Sequence, residues 1–394
     1  MKYMWMLLFL LLPFMGMAYV GWHVWTLVPL SRLMRTVIIV IGVASFLLMF
    51  INFSRVSDRL PLTLARLCYD IGNSSIFILL YLTLIFLVLD LGRLLHLVPK
   101  EWLYHNFYTT ATIAIGIFVL FLLGNIQYRH KVRKTLELTT TKPIAKPMRI
   151  VMMSDLHLGY HNPRKEFSRW VEMINREKPD VVLIAGDIID KSVRPLIEEN
   201  MAEDFRRIEA PVYACLGNHE YYAGEPLAQQ FYKDAGINLL RDSCAIVGDL
   251  LIIGRDDRTN PHRKALGKIV GETDSLLARH KMAEASDAGK RQPLQAGGEG
   301  KTRNELFTIL LDHQPHHLEQ AERAGIDFQL SGHTHRGQVW PISWITDHIY
   351  ECSWGQWQRG DTRYYVSSGI GIWGGKFRIG TQSEYVVAEV MNKK

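Results

Sequence analysis

Five short apolar runs in this chain end in residues that can bind cations. Residues 149–153 lead into Asp155-Leu156-His157, residues 181–185 into Gly186-Asp187, and residues 212–216 into Gly217-Asn218-His219-Glu220. Residues 307–311 lead into Asp312-His313, and residues 326–330 into Ser331-Gly332-His333-Thr334-His335. Carboxylate, amide oxygen and imidazole in one set suit a borderline divalent cation such as manganese, iron or zinc rather than calcium. No cysteine joins them, which speaks against a closed structural zinc site. In extended chain, residues i and i+2 face the same side. Asp155 with His157, and His333 with His335, are therefore each expected to reach one cluster. Any one of these pairs also reads as a plain turn; five of them in order do not.

The runs that carry these residues are short, rich in β-branched types and bounded by Gly or polar residues, the pattern of strands buried on both faces. A further run at 250–253 has the same character. Between the runs, Phe167, Trp170, Val171 and Ile174 form one stripe that predicts a helix over 165–178, and a shorter helix is expected over 314–324. Alternating strands and helices imply an α/β domain with an extensive sheet. In such sheets ligands sit beyond the carboxyl ends of the strands, where all five motifs fall. Residues 283–302 hold few large apolar side chains and read as a mobile surface insertion. Residues 135–147, Thr-rich with Pro143 and Pro147, read as a linker.

Ahead of that linker the composition changes. Four apolar blocks, at 4–28, 36–53, 76–91 and 108–128, approach or reach the length needed to cross ~30 Å of hydrocarbon as helices. The first follows Lys2 as a secretory signal would, but its length and the three blocks behind it favour a retained span. Residues 1–145 carry 13 Lys+Arg against 5 Asp+Glu, a net of +8, whereas the whole chain is +6, so the remainder is about −2. Positive charge thus belongs to the membrane flanks, and nucleic acid is not an expected partner. Arg129, Lys131, Arg133 and Lys134 after the last block, with Arg55, Arg59 and Arg66 between the second and third, outweigh the cations of the other loops. Both ends are therefore expected in the cytoplasm of a multi-pass cell-membrane protein. The four cysteines, Cys68, Cys215, Cys244 and Cys352, form no CxxC pair, which fits a reduced compartment or at most two bridges.

Taken together, Asp155-x-His157, Gly186-Asp187, Gly217-Asn218-His219-Glu220, His313 and Gly332-His333-x-His335 resemble the motif set of the calcineurin-like metallophosphoesterases, over roughly residues 148–390. The resemblance implies an α/β sandwich of two mixed sheets flanked by helices over 148–394, here preceded by a four-helix transmembrane region over 1–134. It implies two divalent metal ions, with manganese favoured over iron or zinc. Asp155, His157 and His335 would hold the first ion, Asn218, His313 and His333 the second, and Asp187 would bridge them. His219 would not ligate; it would protonate the leaving oxygen or stabilise charge at phosphorus. The implied activity is hydrolysis of phosphate mono- or diesters. Membrane anchoring is similar to that of bacterial members, some of which act on lipid-linked pyrophosphates, so a phospholipid or lipid-linked pyrophosphate is among the expected substrates.

A second reading makes the chain a metal-binding regulatory or scaffold membrane protein with vestigial catalysis; the intact His219, which a purely structural metal site does not need, weighs against it. A third, with the spans as a transporter or sensor, finds only His23 and Asp90 as ionisable groups in them, where ion pathways use several. His316 and His317 read as surface residues, leaving His313 at the strand end as the ligand. Arg336 reads either as a phosphate contact or as an exposed cation, and Asp256 and Asp257 either as an acidic pair by the site or as a turn. Asp190 is expected to hydrogen-bond near the site. Trp340, Trp344, Trp354, Trp357 and Trp373 read first as core, otherwise as pocket cover or bilayer contacts.

Overall fold

The computed structural model describes residues 2–286 and 301–393. The chain divides into two compact units, residues 1–126 with 374–377, and residues 127–373 with 378–394.

The first unit is built on four helices, α1 (Lys2–Leu27), α2 (Arg32–Phe53), α3 (Leu62–Leu94) and α4 (Phe107–Arg129), the last running three residues into the second unit. Among the described residues, three stretches are long and apolar enough to cross a membrane: Arg32–Asn52, Leu62–Leu94 and Phe107–Arg129. The expected first span is likewise helical. The third expected span, at 76–91, is only the apolar centre of a 33-residue helix. Asp70, Asn73, Ser74 and Ser75 lower the local hydropathy without breaking the backbone ladder. Gly72 lets α3 close on α2, because a Cβ there would stand 2.6 Å from the Met49 amide nitrogen. Beside it the buried Asn52 amide donates to the carbonyls of Cys68 and Tyr69.

Among the described residues the second unit holds twelve strands: β1 (Lys131–Thr140), β2 (Met148–Met153), β3 (Val181–Ala185), β4 (Val212–Cys215), β5 (Asn238–Leu239), β6 (Ser243–Val247), β7 (Leu250–Gly254), β8 (Phe307–Leu311), β9 (Phe328–Ser331), β10 (Gly355–Arg359), β11 (Thr362–Val366) and β12 (Ser383–Asn392). They form two six-stranded mixed sheets, ordered β1-β12-β2-β3-β4-β5 and β10-β11-β9-β8-β7-β6. One face of each sheet packs against the other sheet. Ile150, Met152, Leu183, Ile252, Ile309 and Leu330 meet there, all fully buried. The outer faces pack on helices. Val151, Val182 and Ile184 meet Phe167, Trp170 and Ile174 of α5 (Arg164–Arg176) on one side, and Leu251 and Leu310 meet Ile269 and Leu318 on the other. Burial of both faces explains why these strands read as unbroken apolar runs rather than as alternation.

The stretch expected as a linker begins with a strand. β1 pairs in parallel with β12 along ten residues, and Leu136, Leu138 and Thr140 point inward while the residues between them point out. Its signal is a period of two in Thr, Leu and Glu, which the Thr-rich composition hid. The helix expected over 314–324 is confined to Glu319–Arg323. The stretch ahead of it holds Pro315 and passes through a left-handed residue, His317 (φ 58°). Most of the expected insertion at 283–302 lies outside the described residues. All four cysteines are free thiols.

Candidate metal centre

Because β2, β3 and β4 run parallel in one sheet, and β8 and β9 run parallel in the other, their carboxyl ends open on one rim. The loops leaving these strands are joined to each other by backbone bonds, Asp155 N–H to the Gly186 carbonyl (3.1 Å) and Gly332 N–H to the His313 carbonyl (2.9 Å).

On this rim the structure brings all eight residues together in two adjoining groups. In the first, Asp155 Oδ1 lies 3.5 Å from His335 Nε2 and 3.9 Å from His157 Nε2, and the two ring nitrogens face each other at 3.0 Å. Lone pairs that converge so closely require a proton or a cation between them. In the second, Asn218 Oδ1 lies 2.8 Å from His333 Nδ1 and 3.2 Å from His313 Nε2. Asp187 faces both groups, with Oδ2 3.1 Å from His313 Nε2 and 3.7 Å from His157 Nε2. Candidate ligand atoms of Asp155, His157 and His335, and of Asp187, His313 and His333, lie within 4.8 Å of one another in each group. His219 stands beside His157 and Asp187, its backbone N–H bonded to Asp187 Oδ1 at 2.9 Å.

The backbone is bent to achieve this. Asp155, His157, Asp187, His333 and His335 all have φ between 44° and 70°. Non-glycine residues rarely adopt this left-handed region, and such strain concentrates at functional sites. Asp155 and His157 therefore converge through a curled loop and not through the side-sharing of an extended strand. The motif glycines serve close approach. A Cβ at Gly217 would stand 2.2 Å from Asp187 Oδ1, and one at Gly332 would stand 2.3 Å from Asp155 Oδ2.

Electrostatics keep two of the rings unprotonated, whereas Asp187 and Asp155 outweigh burial at His313 and hold it well above the usual imidazole range. Burial depresses His333 to about 3, with His313 adding to the effect, and burial with His157 beside it holds His335 well below the usual imidazole range. Both are thus neutral at pH 7 and offer lone pairs. His313 bonds its Nδ1 to the Ala185 carbonyl at 2.7 Å, a contact that assigns the proton to Nδ1 and leaves Nε2 to face the site. Burial pushes Asp155 up, whereas for Asp187 burial is outweighed by His313 and His219, which hold it well below the ordinary carboxylate range. Burial also opposes charge on His219, yet Asp187 and Asp190 lift it to about 9.

Three supporting residues complete the site. Asp190, expected near it, orients two rings: its Oδ1 is 3.3 Å from His157 Nδ1, and its carbonyl accepts from His219 Nδ1 at 2.6 Å. Glu220 is fully buried and ties together the loops after β3 and β4. Its Oε2 accepts from the amides of Gly217 (2.7 Å) and Asp187 (3.1 Å), and its Oε1 from that of Ile189 (3.0 Å). It stands in the Gly217-Asn218-His219-Glu220 motif, three residues after Gly217 at a helix-capping spacing, but nothing there assigned it a role. Arg378, also buried, donates to the carbonyls of His335 (2.7 Å) and Gly371 (3.2 Å) and so fixes the last histidine's loop. Nothing in the sequence marked it.

The other residues singled out earlier fall outside the two groups. His316 is half-buried against the Tyr350 ring, and His317 is exposed beside Glu319. Arg336 lays its guanidinium 3.9 Å over the Trp354 ring. Asp256 accepts from Tyr221, Arg241 and Asn260, and Asp257 from Gln314, so the pair pins the loop after β7. Trp340, Trp344, Trp357 and Trp373 are exposed and do not belong to the core.

A family model described as calcineurin-like phosphoesterase matches residues 148–337, which span all five motifs. The chain carries a calcineurin-like phosphoesterase domain. Relatives of this phosphoesterase domain include an uncharacterized metallophosphoesterase of Campylobacter jejuni, 28% identical over 285 residues, 72% of this chain and 69% of that protein. Another is a transmembrane protein with metallophosphoesterase domain from Danio rerio, 31% identical over 243 residues, 60% of this chain and 52% of that one. The match thus covers about two thirds of the first relative's length and half of the second's. Among solved structures, a dimetal phosphatase from Danio rerio aligns with 57% of this chain and 88% of its own, at 12% identity and a TM-score of 0.34.

Proposed function

We propose that the protein is a membrane-anchored, dinuclear metal-dependent phosphoesterase that hydrolyses phosphate mono- or diesters. The observation that carries this reading is the position of Asp187 Oδ2, within 3.1 Å of His313 and 3.7 Å of His157 and so common to both groups. The donor set fits divalent ions: two carboxylates, one amide oxygen and four imidazoles, nearly all buried, two of the rings neutral at pH 7. Asp155, His157 and His335 would hold one ion, Asn218, His313 and His333 the other, and Asp187 both, with manganese favoured. Such a pair of ions polarises a phosphoryl group and acidifies a water. The chain's own part is to orient these ligands through Asp190, Glu220 and Arg378, and to present His219 to the leaving oxygen.

A lipid-borne phosphate is the substrate class the surroundings favour. Residues 32–52, 62–94 and 107–129 are suited to crossing a bilayer. The short helix Ile342–Ile349, beginning seven residues after His335, exposes Trp344, Ile345 and Ile349, with Trp340 just ahead of it. Aromatic side chains of this kind settle at the lipid–water interface. The test uses the full-length protein in nanodiscs with manganese. A soluble nitrophenyl phosphodiester and a panel of lipid phosphates are expected to be hydrolysed. The double variant Trp344→Glu, Ile345→Glu is expected to raise KM for the lipid alone. Absence of turnover on every mono- and diester in metal-loaded protein would refute the phosphoesterase reading. An equal KM change on both substrates would refute the lipid assignment.

The cluster Arg129, Lys131, Arg133 and Lys134 directly after α4 supports a cytoplasmic phosphoesterase domain at the cell membrane. A reporter fused after Lys394 is expected to read as cytoplasmic; a periplasmic or extracellular signal would reverse the topology.

A further inference from the structure

The second unit holds a basic pocket that phosphoester hydrolysis does not use. Its volume is about 350 Å³, and all of its lining residues belong to that unit. Arg129, Lys165 and Arg169 line it together with the apolar side chains of Pro163, Trp170 and Met173. Lys131 and Glu166 complete the lining and answer each other. Glu166 Oε1 accepts from the Tyr128 hydroxyl and lies 3.9 Å from Lys131 Nζ, which also donates to the Tyr128 carbonyl at 2.8 Å. Four cations against one acid leave the lining with a net charge of +3.

Two of these cations call for a partner from outside the protein. Lys165 and Arg169 are exposed and, among the described residues, have no hydrogen-bond or ion-pair partner. They stand four residues apart on α5, the spacing at which like charges repel and weaken a helix. The place of the pocket along the chain narrows the choice of anion. Arg129 is the last residue of α4, whose 23 residues rise about 34 Å, against ~30 Å of hydrocarbon. Where α4 crosses the bilayer, a pocket lined by Arg129 lies at the level of lipid head groups.

We propose that this pocket binds the phosphate of an anionic phospholipid. Lys165 and Arg169 meet the phosphate oxygens, and Pro163, Trp170 and Met173 give the glycerol and first methylenes an apolar wall that a free phosphate would leave unused. Net charge selects the ligand. A zwitterionic head group brings its own cation to a lining that is already at +3, whereas an anionic one does not. No particular hydroxyl or amine on the head group is required.

The experiment titrates full-length protein, in a non-ionic detergent and without added metal, with phosphatidylglycerol or phosphatidylcholine of the same acyl chains. Bound lipid is counted by native mass spectrometry. Phosphatidylglycerol is expected to bind about thirtyfold more tightly, the worth of two cations near a membrane surface. Lys165→Gln with Arg169→Gln is expected to remove most of that advantage, while the thermal midpoint and the hydrolysis of the soluble phosphodiester stay as in wild type. The conservative pair Lys165→Arg with Arg169→Lys is expected to keep it. So is Lys233→Gln with Lys268→Gln, which removes two exposed cations of the same unit outside the pocket. Inorganic phosphate, added at matched ionic strength, is expected to leave the bound lipid in place. Equal binding of the two lipids, an unchanged preference in Lys165→Gln with Arg169→Gln, or an equal loss in Lys233→Gln with Lys268→Gln would overturn the proposal. Displacement by inorganic phosphate would overturn it too, by assigning the pocket to a soluble anion. None of these outcomes depends on the metal centre, so they stand or fall apart from the phosphoesterase reading.

Discussion

Asp187→Ala is expected to strip both metal ions from the protein and to lower kcat/KM on a soluble phosphodiester by more than about 10³-fold. A metal pair contributes several kcal/mol to the barrier, and each 1.36 kcal/mol is tenfold in rate. Geometry makes this carboxylate different from the other ligands. Its Oδ2 faces His313 in one group and His157 in the other, and its Oδ1 accepts the His219 amide. Truncation leaves four rings and one carboxylate with no common anion, so each ion loses a ligand and the repulsion between the ions is no longer offset. The fold should survive, because Glu220 holds residue 187 by its backbone amide and not by its side chain. Asn218→Ala provides the contrast: among the described residues Asn218 Oδ1 is bonded to His313 and His333, both of one group, so one ion is expected to remain. Elemental analysis with a thermal midpoint for each variant decides the matter. An Asp187→Ala protein that melts normally and keeps both ions would remove the bridge from the argument.

The residues of this centre were legible in the sequence because each follows a strand buried on both faces, and such strands stand out as unbroken apolar runs. β2, β3, β4, β7, β8 and β9 are of this kind. β1 was not legible: half exposed, it alternates Thr, Glu and Leu, and its proline-bearing continuation drew the eye to a linker instead. α3 was cut short for a related reason, since a hydropathy window responds to Asp70 and Asn73 while the helical backbone does not. At the site, the ligand types could be read but not the bent backbone that joins them, because a left-handed Asp or His leaves no trace in its own letter. The role of Glu220, whose letter stood in the motif, and the whole of Arg378 escaped for a different reason. Both act on main-chain amides and carbonyls of distant loops, and those partners are set by tertiary proximity alone.

His219→Asn is expected to leave both ions in place and to slow turnover by about 10²–10⁴-fold, the usual worth of a general acid. The separation of effects follows from where the ring is held. Its Nδ1 donates to the Asp190 carbonyl at 2.6 Å, so the proton available for transfer is on Nε2, and its backbone, not its ring, is bonded to Asp187. A proton donor matters in proportion to the basicity of the departing oxygen. With a nitrophenolate leaving group the loss should therefore fall at the low end of that range, and with an alkoxide at the high end. A ring that only stabilises charge at phosphorus would cost the same on every ester. Comparing wild type and variant across a series of leaving groups thus tells proton donation from charge stabilisation. Asp190→Asn tests how the ring is held, because the carbonyl contact remains while the Oδ1 contacts to His157 (3.3 Å) and to His219 itself (3.5 Å) weaken. A smaller loss, with the same dependence on leaving group, is the result that places Asp190 as a positioning residue behind both rings. Loss of metal from His219→Asn would instead make His219 a ligand, since its ring lies within reach of Asp187 and His157.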